Sequence, residues 1–241
     1  MAIPLYLAMT AGEIASCGAF PAHMGYMACH FSPDGTGLCD LPDALPARSL
    51  LILNDRMPIR GHDPACVADT LLALLPQLEP AALLLDFQRP DDGRAGAMAE
   101  YLRSRLPCPV GVSEGCGQTA EGPIFLPPVP LNQLPEAYLS RYSGREIWLE
   151  AALDGAVVTL DMEGSRASPL PPDAGGEFPH KDDALHCRYR IERHTDRVDF
   201  LMRRTPETLD ALLAAAEHIG VTMAVGLYQE LALQAPPSSA R

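Results

Sequence analysis

Polar residues collect where apolar runs end. In AALLLDFQRP (81–90) five uncharged residues lead straight to Asp86, and Gln88 follows two positions on. SLLILND (49–55) ends in Asn54 and Asp55, and CPVGVSE (108–114) in Ser113 and Glu114. VTMAVGLY (221–228) ends in Tyr228, just ahead of Glu230. A carboxylate that closes an apolar strand is partly desolvated, which raises its pKa and suits it to acid–base work. Period two puts Gln88 on the same side of its strand as Asp86 and turns Phe87 and Arg89 away. Paired carboxylates on one rim would suit hydrolysis. Asp86 and Glu114 are the carboxylates so placed, and with Gln88 beside Asp86 they make up the catalytic candidates. Tyr6, Asn54, Asp55, Tyr228 and Glu230 are the candidates for holding a substrate. The plain alternative is that strand ends meet water, where polar residues belong in any case.

The positioning elements can be read from the same runs. PLYLAM (4–9), GYMACHF (25–31), SLLILND (49–55), AALLLDF (81–87), CPVGVSE (108–114), PIFLPPV (123–129) and VTMAVGLY (221–228) read as strands. They are apolar almost throughout, as strands covered on both faces are. Helical spacing appears over 64–77, 92–105, 131–142 and 205–220. Thr205 and Pro206 open the last of these, and Gly220 closes it. Strands alternating with helices predict a parallel sheet of βαβ units. The economical architecture is a (β/α) TIM-type barrel, complete or degenerate, because the helices are few. In a barrel the C-terminal strand ends share one rim, where sites form. An open α/β sheet is the alternative.

The pattern changes after residue 145. REIWLEAALDGAVVTLDM holds two strand-like runs around Asp154-Gly155, a hairpin signal. LHCRYRIERHTDRVDFLMRR reads as a second hairpin, turning near Thr195. Residues 146–203 are thus expected to form a small antiparallel β insertion before the last helix and strand. It lies within a single barrel domain spanning 1–241, with a disordered tail over 233–241.

Composition narrows the function. The chain has 241 residues, 47% of them hydrophobic, which supports one sizeable core. Its net charge is −13, from 18 basic and 31 acidic residues, so it repels phosphate backbones and no nucleic-acid partner is expected. No apolar stretch reaches the roughly 18 residues of a membrane span. The N-terminus has no basic region ahead of its modest apolar run, so no signal peptide is read there. Seven cysteines without C-x-x-C pairs suit free thiols in a reducing cytoplasm. No cofactor and no metal is expected.

LLLDFQRP resembles the fourth-strand motif of the chitinase-like, family 18-type glycoside hydrolases, D-x-x-D-x-D-x-E, often continued by an aromatic residue and Pro. On that motif Asp86 matches the last Asp, Phe87 the aromatic, Gln88 the Glu, and Pro90 the Pro. Four strands up to that point place it at the family's own position. The antiparallel insertion is similar to the small α+β insertion that many of these barrels carry. The resemblance implies a TIM barrel that binds a carbohydrate at the rim. It also implies that the residue in the general-acid position is Gln88, which has no useful acidity. The two earlier Asp positions are Ala81 and Leu84. Hydrolysis by the family's route is therefore expected to be weakened or lost. If another carboxylate supplies the acid, Glu114 and Glu150 are the candidates.

Other signals are weaker. His23, Cys29, His30 and Cys39 surround a strand and turn, but no ligand spacing matches a structural zinc site. GVSEG (111–115) is similar to a nucleophile elbow, but no helical pattern follows Ser113. Residues 54–64 read as a long rim loop. Trp148 could stack on a sugar, and core packing accounts for it equally well. Two other functions stay open: an intracellular hydrolase or lyase of another class using rim carboxylates, and a non-enzymatic binding protein. In the last, the insertion hairpins make a partner or homodimer surface. The expected partner is a small-molecule or glycan ligand, with no membrane partner.

Overall fold

The computed structural model describes residues 2–89, 94–116 and 121–232. The chain opens with β1 (Leu5–Met9), α1 (Ala11–Ser16), β2 (Met24–Phe31), β3 (Leu38–Cys39) and β4 (Leu50–Asn54). It continues through α2 (Pro64–Leu78), β5 (Ala82–Asp86), α3 (Arg94–Arg105), β6 (Val110–Ser113) and β7 (Ile124–Leu126). Then come α4 (Pro135–Leu139), β8 (Ile147–Glu150), five strands of a second sheet, α5 (Pro206–Ile219), β14 (Val221–Leu227) and α6 (Tyr228–Leu231).

Eight of these strands are parallel and close on themselves in the order β1-β2-β4-β5-β6-β7-β8-β14, with β14 pairing back to β1. This is the expected (β/α) barrel, and it is closed. The short β3 pairs antiparallel with β2 outside the ring. Among the described residues no α-helix joins β2 to β4 or β6 to β7, so the barrel is degenerate in its helical layer. No helix among the described residues is long and apolar enough to cross a membrane.

The strands are apolar on both faces because both faces are covered. Leu50, Ile52, Ala82, Leu84, Phe125, Trp148 and Val225 fill the barrel interior. Their neighbours Leu51, Leu53, Leu83 and Leu85 point outward and pack against Val67, Leu71 and Leu75 of α2 and Met98 and Leu102 of α3. On the opposite side Ile124, Leu126, Ile147 and Leu149 pack under Tyr138, Leu209, Leu212 and Ala216 from α4 and α5. Trp148 is 1% exposed and occupies space that Gly111 leaves open: a Cβ at Gly111 would stand 2.2 Å from Trp148 Cζ3. The tryptophan is thus core. Two helices begin and end as their sequences dictate. Asp63 caps α2 by accepting from Ala65 N, with Pro64 in the first turn. Thr205 and Pro206 do the same for α5, and Gly220 ends it at a φ of 111°.

The second sheet is antiparallel, in the order β10-β9-β13-β12-β11. Its strands are β9 (Gly155–Asp161), β10 (Gly164–Pro169), β11 (His180–Asp182), β12 (Cys187–Arg193) and β13 (Arg197–Arg203). It lies before the last helix and strand, as expected, and the second hairpin turns at 194–196, where His194 N donates to Arg197 O. The first hairpin differs from the sequence reading. Ile147–Glu150 is the seventh strand of the barrel, parallel to β7 and β14, so the insertion begins at Gly155. Asp154-Gly155 is the entry to the second sheet, and the tight turn lies between Asp161 and Gly164. The physical reason is burial. Ile147, Trp148 and Leu149 are each buried on one face or the other, which a half-exposed hairpin strand could not offer. The sheet is fastened to the barrel by Arg204. Its side chain is 1% exposed and donates to Asp154 Oδ1 at 2.7 Å and to Val129 O at 3.1 Å. The tail 233–241 lies outside the described residues, as does Pro90.

Candidate active site at the barrel mouth

The strand register decides what enters the mouth. Leu50, Ile52 and Asn54 alternate inward along β4, Ala82, Leu84 and Asp86 along β5, and Trp148 and Glu150 along β8. The last residue of each series is polar and stands at the C-terminal rim. The resulting cavity has an apolar floor of Ala8, Ile52, Leu84 and Val225, and polar walls of Asn54, Asp86, Gln88 and Glu150. A second cavity, lined by Phe87, Ser113, Glu114, Gly115 and Pro127, shares Gln88, Phe125 and Glu150 with the first. The two form one groove across the mouth.

On one wall Asp86 is held by neutral donors. Its Oδ1 accepts from Gln88 Nε2 at 3.0 Å and from Ser113 Oγ at 3.2 Å. The turn that carries Gln88 is fixed from below by Asp55. That side chain is 7% exposed, and its Oδ2 accepts from Gln88 N at 3.1 Å and Arg89 N at 2.7 Å. Asn54 Nδ2 donates to Met27 O at 2.9 Å, tying two strand ends together.

The opposite wall is different. Glu150 ends β8 half-buried, and no hydrogen-bond donor among the described residues reaches its carboxyl group. Burial, followed by the charges of Asp86, Glu230 and Asp154, pushes its pKa up to about 7. Asp154 is also raised by burial, in spite of its ion pair with Arg204. Glu230 Oε1 accepts from Leu153 N, so α6 closes this corner of the rim.

The residues singled out from sequence divide into three groups. Asn54, Asp86 and Gln88 line the first cavity, and Glu114 lines the second, where it accepts from the Tyr142 hydroxyl. Asp55 and Glu230 line neither cavity: Asp55 holds the backbone of Gln88, which does, and Glu230 holds Leu153 N in the loop after β8. Tyr6 and Tyr228 are not in the mouth. Tyr6 is 5% exposed within the barrel, beside His23 and the Arg48 charge near the N-terminal strand ends. Tyr228 opens α6 and packs against the outer core. Period two gives the reason: Leu227 takes the inward place at the end of β14. Glu150, named from the sequence only as an alternative acid because its strand reads as half a hairpin, lines both cavities.

Among the described residues no group of three or more His, Cys, Asp or Glu side chains could hold a metal ion. His30 Nε2 pairs with Asp40 at 3.3 Å, and Cys29 is buried, which pushes its thiol up to about 12. Among the described residues Ser113 leads into a single 3-10 turn, Glu114–Cys116, rather than into an α-helix.

No family model matches the sequence, and no curated protein matches it. Solved structures do match in fold. The spore cortex-lytic enzyme SleL of Bacillus cereus superposes with a TM-score of 0.58 at 10% identity, covering 96% of this chain and 71% of that one. A chitinase-like agglutinin from Robinia pseudoacacia gives 0.56 at 12% identity, over 92% and 93% of the two chains. A GH18 chitinase variant from Cycas revoluta in complex with (GlcNAc)4 gives 0.55 at 11% identity, over 93% and 94%. The chain therefore shares the fold of the chitinase-like barrels.

Proposed function

We propose that this chain is a glycoside-hydrolase-like barrel that binds a carbohydrate or related small ligand at the mouth. Hydrolysis by the usual route of the chitinase-like family is weakened or lost in it. The observation that carries this reading is the pairing of Gln88 with Asp86 at the end of the fourth barrel strand. The sequence resemblance places the family's general acid at Gln88. An amide there can keep the hydrogen bond and orient a ligand, but it has no proton to give to a leaving oxygen. An apolar floor with a few convergent polar groups suits sugar rings and hydroxyls. Seven cysteines, none of them in a disulfide, support a cytoplasmic location and so a short, soluble glycan or glycan-like ligand.

A second reading, binding without any cutting, draws support from the fold shared with a chitinase-like agglutinin. The test separates them. Calorimetry and heteronuclear NMR with (GlcNAc)4 and with a glucan tetrasaccharide should show binding that perturbs Asn54, Gln88 and Phe125. Gln88→Glu should raise hydrolysis of the bound sugar, and Asp86→Asn should abolish that gain. Absence of binding by any short glycan at millimolar concentration would remove the reading. So would strong hydrolysis by the natural chain that survives Asp86→Asn.

A further inference from the structure

Gln88 puts an amide beside Asp86 where an acid would be needed, and the opposite wall carries a carboxyl group. We propose that Glu150 is the catalytic acid of this groove, donating its proton to the leaving oxygen of a glycan bound between it and Asp86. The inference rests on the glycan-binding reading of the mouth and adds a catalytic residue to it.

Three observations point to Glu150. It lines both cavities, so a ligand lying along the groove passes its carboxyl group. Its strand is three steps around the ring from β5, at about 4.8 Å per step, so Glu150 and Asp86 face one another across the mouth. The two environments are also opposed. Asp86 accepts from Gln88 and Ser113. Among the described residues Glu150 has no such donor, and it faces other acids: Asp86 from β5, Asp154 from the loop after its own strand, and Glu230 from α6. Tyr138, from α4, also feels its charge. Arg204, which pairs with Asp154, is thereby engaged. That setting keeps Glu150 protonated up to about pH 7, which fits it to give a proton across the groove from the hydrogen-bonded Asp86.

The step balances with water as the only co-reactant. Glu150 O–H transfers its proton to the glycosidic oxygen as the bond from that oxygen to the anomeric carbon breaks. Water forms the new bond to the anomeric carbon while Asp86 takes its proton. Glu150 is left as a carboxylate and Asp86 as an acid, and exchange with solvent restores both.

The experiment compares the natural chain with Glu150→Gln, Gln88→Glu and the double variant, using (GlcNAc)4 and a glucan tetrasaccharide. Binding is read by calorimetry and hydrolysis by product analysis between pH 5 and 9. Glu150→Gln should bind within about threefold of the natural chain yet lose about 10²–10⁴-fold in rate. The natural chain's rate should fall as pH rises through about 7, and the variant's residual rate should lack that limb. Gln88→Glu should keep its activity without Glu150, since it restores a separate donor. In the free protein, carbon-13 NMR should find a carboxyl group titrating near 7 that disappears in Glu150→Gln. Binding by the natural chain with no hydrolysis, or a Glu150→Gln variant with unchanged rate and pH profile, overturns the role of Glu150 and spares the binding reading. No binding in any variant overturns the binding reading and the inference with it. A Glu150 carboxyl titrating below 5 overturns the inference whatever the glycans do.

Discussion

The two walls of the mouth end strands of the same kind and treat their carboxyl groups in opposite ways. Asp86 closes an all-apolar strand and meets two neutral donors, Gln88 and Ser113. Glu150 closes an equally apolar strand and meets three other acids and, among the described residues, no donor. Burial alone therefore does not decide what a carboxyl group can do. The neighbours decide it, and they arrive from elements far apart in the chain. Asp55 shows the same point at one remove, since it builds the Asp86 wall without entering the groove.

The largest effect expected is on the Asp86 wall. In a Gln88→Glu background, Asp86→Asn should lower glycan hydrolysis by about 10²–10⁴-fold, read as kcat/KM on a short oligosaccharide. A loss below tenfold would mean that Asp86 is only a ligand-binding group. On the other wall Arg204→Ala should cost roughly 3 kcal/mol in chemical denaturation, because it strips the partner from Asp154 beside Glu150 and Glu230. Arg204→Met, which fills the space, should cost nearly as much, showing that the lost charge matters more than the lost volume.

Glu150 sharpens the comparison through pH. Its folded pKa, about 7, lies above the unfolded value, so between about pH 4.5 and 7 the folded state holds the extra proton and stability falls as pH rises. The loss should reach on the order of 2 kcal/mol by pH 8 and be absent at pH 4, after allowance for partial exposure. Glu150→Gln should flatten that slope, measured by urea unfolding across the range. The smallest effect belongs to Asp55. Asp55→Ala orphans the Gln88 and Arg89 N–H groups and should cost about 1–2 kcal/mol. It should also weaken glycan binding several-fold by releasing the turn that holds Gln88.

Much of the barrel is a local property of the sequence. Runs such as LLIL and ALLLD have no polar face to give to water, so they must be covered on both sides. Thr205, Pro206 and Gly220 mark the ends of α5 by their own backbone preferences. Period two placed Asp86 and Gln88 together and sent Phe87, 1% exposed, into the outer core. The same local logic misread Ile147–Glu150, because Asp154-Gly155 carries a strong turn signal and nothing nearby in sequence opposes it. Only pairing with β7 and β14, distant in the chain, makes that run the seventh barrel strand. Register then decided the site. It put Glu150 in the mouth and left Tyr228 outside, because inward and outward places on a strand depend on which residue meets its neighbour across the ring. The types and spacings of the polar residues are written in the chain. Which of them share a groove, and which of those keeps its proton, follows from burial and from charges that only the closed barrel brings together.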